Sequence, residues 1–326
     1  MVKRIEVITV IILLIFLVGC GAFSRGSSGT IQVPEVHKGK DGLTIKFIDD
    51  APPLSVFEDT NFPILIELQN KGATDINYGW YTLGVEQANM DLLGDPVKPF
   101  SLLGRTASDK YGEQKIVELL GHAKKLPSQT QRMDSVISVT GCYSYGTDAS
   151  ADVCIDTDLF GLARYEKSCK IKNIAMSGGQ GGPVSVSKIE VQMLPHDEQN
   201  KVIPQFIIYV QNMGEGQPIV PEAVDTACSS RSIKSEQYNV VKVEASLFEY
   251  ELDCKPKLSD IMNDETLQQQ NPKSGYKKLE KKEGIIKCEL PDGLDKARGT
   301  YTSPLTVHLD YGYTDTISKK VEIKKV

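Results

Sequence analysis

The chain has 326 residues, enough for two ordinary domains. Its 40% hydrophobic and 25% charged content describes a folded globular body, neither a disordered chain nor a polytopic membrane protein. A net charge of −6 leaves no basic footprint, which excludes nucleic acid as the expected partner.

Lys3 and Arg4 give the N-terminus a positive start, and Ile8 to Val18 follows as an apolar run broken only by Thr9. A positive start, a short apolar stretch and small residues at its end mark a secretory signal. The run is shorter than the roughly 20 residues of a membrane-spanning helix. The ending Leu17-Val18-Gly19-Cys20 resembles the lipobox of bacterial and archaeal lipoproteins. That resemblance implies cleavage before Cys20, lipid on its thiol, and a body held at the cell membrane, facing outside the cytoplasm. An uncleaved signal anchor is the alternative and puts the body on the same side. Residues 21–42 carry Gly26-Ser27-Ser28-Gly29, Gly39 and Gly42 and are expected to form a flexible tether.

Two stretches then recur. Ile64-Leu65-Ile66-Glu67-Leu68-Gln69-Asn70-Lys71-Gly72 matches Phe206-Ile207-Ile208-Tyr209-Val210-Gln211-Asn212-Met213-Gly214, a buried strand ending in a tight turn. Residues 135–155 align without gaps on 303–323, with identities at Ser135/Ser303, Val139/Val307, Tyr143/Tyr311, Tyr145/Tyr313, Ser150/Ser318, Val153/Val321 and Ile155/Ile323. The spacing between the two anchors is longer in the second copy, and Lys255 to Gly284 is the expected extra loop. Each copy opens on an alternating strand, Leu43 to Ile48 and Val184 to Met193, and each is expected to close on a hairpin. A turn centred on Thr316 sets Tyr311 opposite Val321 and Leu309 opposite Ile323. The chain thus reads as mainly β: two tandem Ig-like antiparallel β-sandwiches, over 43–160 and 184–326, joined by a linker at 161–183. Gly178-Gly179-Gln180-Gly181-Gly182-Pro183 in that linker reads as a hinge or turn, since it lacks the Gly-Lys-Ser/Thr ending of a phosphate loop. A strand followed by Gln-Asn-x-Gly resembles the CARDB-like and related Ig-like modules of archaeal and bacterial surface proteins. The resemblance implies adhesion, envelope assembly or scaffolding.

Within the first copy the residues predict one short helical insertion. Ser108 is its cap, Asp109 and Glu113 lie in its first turns, and Ile116, Leu119 and Leu120 form an apolar stripe. Lys124 and Lys125 sit at its end and Pro127 follows.

Setting Cys20 aside leaves Cys142, Cys154, Cys169, Cys228, Cys254 and Cys288, an even number in an exported chain, which reads as disulfides. The hairpin register places Cys142 opposite Cys154. Cys254 and Cys288 bracket a polar loop and can close its base. Elimination leaves Cys169 with Cys228.

No catalytic set, cofactor motif or metal site emerges. The four histidines, His37, His122, His196 and His308, are scattered, and no Gly-x-Ser-x-Gly elbow accompanies them. Asp49-Asp50 and Asp156-Thr157-Asp158 supply too few oxygens for calcium and read as turn acids. The basic cluster at Lys277, Lys278, Lys281 and Lys282 is diluted by Glu280 and Glu283 and reads as a solvated loop. Trp80, flanked by Tyr78 and Tyr81, reads as core, with stacking on a sugar or peptide as its alternative. The expectation is a non-enzymatic, membrane-anchored binding or structural protein whose partner is an envelope protein or a glycan. The alternative is a carbohydrate-active enzyme with its site in residues 80–130.

Overall fold

The structure is a computed structural model that describes residues 36–326, apart from 163, 165, 230, 231 and 263–271. The first copy supplies β1 (Leu43–Phe47), β2 (Ser55–Phe57), β3 (Thr60–Asn70), β4 (Ile76–Val85), β5 (Met90–Leu93), β6 (Val97–Leu102), β7 (Gln114–Ala123) and β8 (Arg132–Asp156). After β9 (Ile174–Ala175), the second copy supplies β10 (Val184–Pro195), β11 (Lys201–Asn212), β12 (Gln217–Ile219), β13 (Val240–Leu247), β14 (Tyr250–Glu251), β15 (Asp253–Lys255), β16 (Gly275–Lys278), β17 (Glu283–Glu289), β18 (Leu294–Asp295) and β19 (Thr300–Lys324). The fold is mainly β and antiparallel, except that β2 runs parallel to β19. A sheet ordered β1-β3-β7-β5 has its counterpart in a sheet ordered β10-β11-β17-β15. Both pack on one large sheet whose central path is β14-β13-β19-β8-β4-β6. Strict alternation drives this: Phe62, Ile64, Ile66 and Leu68 of β3, and Phe206, Ile208 and Val210 of β11, point into a single continuous core.

The expected closing hairpins do not form. Residues 132–156 and 300–324 are each one long strand, and the two pair with each other along their whole length, from Arg132↔Lys324 to Asp156↔Thr300. Thr316 lies in mid-strand opposite Thr140, and Tyr311 lies opposite Tyr145. The physical reason is local: Thr314-Asp315-Thr316-Ile317-Ser318 holds no Gly, Pro or Asn to reverse the chain, and its β-branched residues favour continued extension. Residues 36–326 form one compact unit in which the sheets of both copies share a core.

The repeat survives in a different form. Tyr143↔Tyr313 and Tyr145↔Tyr311 flank the pair Ser144↔Gly312. A half-turn through that point exchanges Tyr143 with Tyr311 and Tyr145 with Tyr313. The four rings close a cycle, with centroids 5.7 Å apart for Tyr143–Tyr145, 6.1 Å for Tyr145–Tyr311, 6.3 Å for Tyr311–Tyr313 and 5.8 Å for Tyr143–Tyr313. Every hydroxyl in this cycle has a partner. Leu43 N–H donates to Tyr143 and Val184 N–H to Tyr311, at matching places in the two copies. Tyr145 donates to the Gly181 carbonyl, and Tyr313 donates to Asn212 Oδ1. Burial pushes Tyr143 and Tyr311 well above the usual phenol range and Tyr145 up to about 12, so these three stay neutral at any physiological pH.

The Asn-x-Gly motif now has a sharper reason. Asn70 and Asn212 are buried, each accepts from the N–H two residues on, and each donates to the carbonyl four residues on. The glycines serve close approach: a Cβ on Gly72 would lie 1.8 Å from the Tyr145 hydroxyl, and one on Gly214 would lie 2.3 Å from that of Tyr313.

The Gly178–Pro183 segment is a clasp, not a hinge. Gly179 to Pro183 are buried, and Gly181 uses its φ of 78° to accept from Ala73 N–H while donating to Gly39 O. Gly39 in turn donates to Gly178 O, and Arg105 donates to the carbonyls of Val36 and Lys38. The last part of the expected tether, residues 36–42, is thus fastened to the body; residues 21–35 lie outside the described residues, as do the signal at 1–20 and Cys20.

The expected helical insertion is a strand. In β7, Val117, Leu119 and Ala123 point inward while Ile116 and Leu120 are exposed, a period of two. The apparent cap signals belong to a turn, where Asp109 Oδ1 accepts from the N–H groups of Tyr111 and Gly112. The one α-helix among the described residues is α1 (Val224–Ala227), between β12 and β13. This segment, together with the connection between β15 and β16 inside the expected Lys255–Gly284 loop, accounts for the greater length of the second copy.

The disulfides are Cys142–Cys228, Cys154–Cys169 and Cys254–Cys288. Cys254 and Cys288 are directly opposed on β15 and β17. The expected Cys142–Cys154 and Cys169–Cys228 pairs are not made. With no hairpin there, Cys142 and Cys154 sit far apart along β8, on opposite sides of the tyrosine cycle.

Candidate functional site

The outer face of the central sheet differs sharply between the two copies. In the first, Trp80 faces Cys142 and Thr82 faces Thr140. In the second, the corresponding pairs are Lys242 with Asp310 and Glu244 with His308. The first is covered by the α1 segment, whose Val220, Ala223, Val224 and Cys228 bury a small apolar cluster against Cys142 and Trp80. The Cys142–Cys228 disulfide pins that cap. Trp80 Nε1 donates to the Tyr78 hydroxyl at 2.8 Å, and the bond from Tyr78 to Asp225 raises the Tyr78 pKa and ties strand to helix. Trp80 is half-buried beneath this cap, while Tyr81 points to the main core.

Among the described residues the second-copy face is open and polar. Glu244, Ser246, Thr306 and His308 form the floor of a groove of about 520 Å³, walled by Glu251, Leu252 and Pro272–Ser274. Its charges are matched. Glu244 Oε1 takes Lys242 Nζ at 2.8 Å and the Ser274 hydroxyl at 2.8 Å. Burial raises the Glu244 pKa, but these two bonds outweigh it and leave the carboxyl below its ordinary value. Asp310, half-buried beside Lys242, is raised by burial. Lys273 stands 3.5 Å from Glu251, and His308 Nδ1 lies 2.7 Å from Asp148 Oδ1. Among the described residues no hydroxyl or thiol is hydrogen-bonded to His308. The arrangement can hold a ligand by hydrogen bonds.

Other residues singled out in the sequence are taken up locally. Asp156 and Asp158 share Lys167, at 2.7 and 3.3 Å. Burial raises Asp156, but Lys167, Asp158 N–H and Thr300 more than offset it and the net shift is down. Asp50 lies in a turn at φ 57°. Residues 80–130 form sheet strands, and their carboxylates do not converge: Asp91 pairs with Lys124, Glu86 accepts from Ser135, and Glu113 accepts from Leu103 N–H. No group of three or more His, Cys, Asp or Glu suited to a metal occurs among the described residues. The second-copy groove itself escaped the sequence, because its floor alternates with core residues and its wall comes from a loop distant in the chain.

No family model and no curated protein matches the chain. Among solved structures, the serine-rich repeat adhesion glycoprotein Srr1 of Streptococcus agalactiae aligns over 90% of this chain and 98% of its own, at 8% identity and a TM-score of 0.17. A DUF4466 family protein of Parabacteroides merdae aligns over 82% and 98%, at 8% identity and a TM-score of 0.15. Scores this low do not amount to a shared fold and say nothing of function.

Proposed function

We propose that the chain is a lipid-anchored protein of the cell envelope, facing outside the cytoplasm, whose β body acts as a binding or scaffold module. The observation that carries this reading is the division of the cysteines. Cys20 ends a lipobox-like sequence, and the other six close three disulfides, bonds that persist in oxidising compartments. The resemblance to CARDB-like modules of archaeal and bacterial surface proteins points the same way. An envelope protein or a glycan is the partner that such a module takes. The anchor needs more than one acyl chain for stable attachment, at about 0.8 kcal/mol per buried methylene.

The test is cell fractionation combined with intact mass. Wild-type protein is expected in the membrane fraction, with a mass that corresponds to cleavage before Cys20 plus lipid and with no free thiol before reduction. Cys20→Ala is expected to leave that lipid mass off. A wild-type protein carrying free thiols in the body, or lacking lipid at Cys20, contradicts the reading.

A further inference from the structure

We propose that the open groove on the second-copy face binds one residue of a neutral saccharide. The inference rests on the reading of the body as a binding module, and it concerns the groove alone, not the anchor.

Three observations select the ligand. The first is asymmetry. Two copies of one fold place equivalent surfaces on the central sheet; one is sealed by an apolar, disulfide-pinned cap, and the other carries polar side chains at the same register positions and, among the described residues, stays open. Sealing one face and not the other is hard to explain if both only needed covering. The second is charge. Glu244 is matched by Lys242 and Glu251 by Lys273, while His308 shares a hydrogen bond with Asp148. A cationic ligand gains little from carboxylates already paired, an anion meets those same carboxylates, and an apolar ligand strips water from them without return. The third is the set of groups left over. Both partners of Glu244 sit on Oε1, so Oε2 has no partner among the described residues, and neither do the hydroxyls of Ser246 and Thr306. An acceptor-only oxygen beside two groups that both donate and accept suits alcohols, which do the same.

Spacing agrees. Glu244 is directly opposite His308, and Ser246 is opposite Thr306. Opposed residues lie about 5 Å apart and successive same-face residues about 7 Å apart along a strand. Four polar groups therefore occupy a rectangle of roughly 5 by 7 Å, the scale of one sugar ring. The groove volume, about 520 Å³, falls in the range of small-molecule sites.

The experiment titrates the full-length protein in detergent, by calorimetry, with neutral gluco-, manno- and N-acetylglucosamine oligosaccharides, and with spermidine and a sulfated oligosaccharide as charged probes. The expected result is binding of at least one neutral oligosaccharide in preference to both charged probes. Ser246→Ala with Thr306→Val is expected to weaken that binding by about tenfold or more, from the loss of two hydrogen-bonding groups. Ser138→Ala, at the first-copy counterpart of Thr306, is expected to leave it unchanged. Absence of binding by every neutral oligosaccharide, preference for spermidine or the sulfated sugar, or an unchanged affinity in the double variant overturns the proposal. The anchor is judged on the Cys20 lipid mass, so either reading can fail while the other stands.

Discussion

Tyr311→Ala is expected to lower the unfolding free energy by about 3–5 kcal/mol, as for other fully buried aromatic residues cut back to alanine. Tyr311 is fully buried at the centre of the body, touches Tyr145 and Tyr313, and holds two polar groups, the Val184 N–H and the Thr147 hydroxyl. Tyr311→Phe keeps the ring and removes only the hydroxyl. It leaves that N–H and the buried Thr147 oxygen without their partner, at a cost of about 1–3 kcal/mol. Urea unfolding at neutral pH measures both. The symmetry makes the prediction sharper. Tyr143→Phe exposes the equivalent Leu43 N–H and is expected to fall in the same range. A Tyr311→Ala loss under about 1 kcal/mol would mean that the tyrosine cycle is not the centre of the core.

The second large effect is expected at Cys142–Cys228. This bond closes 86 residues of sequence, against 15 for Cys154–Cys169. Loop-closure entropy gives about 4–5 kcal/mol for the first and about 3 kcal/mol for the second. Cys142→Ala with Cys228→Ala is therefore expected to destabilise more than Cys154→Ala with Cys169→Ala. It also frees the α1 segment from the outer sheet face. Trp80 lies beneath that segment and is the single tryptophan of the chain, so its emission should shift to the red in the first double variant alone. Equal losses, or an unchanged Trp80 spectrum, would argue against the cap.

The class of fold was legible because alternation in β3 and β11 is strict, and their Gln-Asn-x-Gly endings are local signals. The duplicated tyrosines were legible for the same reason. Pairing was not. A 25-residue ladder between β8 and β19 joins residues up to 192 positions apart, and the local sign against a hairpin, the lack of Gly, Pro or Asn in Thr314 to Ser318, does not name the partner strand. The wrong hairpin then carried the wrong disulfides, since its register set Cys142 opposite Cys154 and left Cys169 to Cys228. At Ser108 to Lys125, a helix pattern and a strand pattern coincide: Ile116 and Leu120 share a helical stripe, yet as exposed positions of β7 they follow an Asx turn. The groove is built from alternate positions of β13 and β19 and from a distant loop, which no single segment announces.

The central claim is that the two copies fold as one structure knitted by β8, β19 and the tyrosine cycle. Urea unfolding followed in parallel by Trp80 fluorescence, which reports on the first copy, and by far-UV circular dichroism, which reports on all strands, tests it most directly. The account predicts one transition with superimposable curves. A Trp80 transition displaced from the main circular dichroism change, with the second copy unfolding on its own, would contradict it.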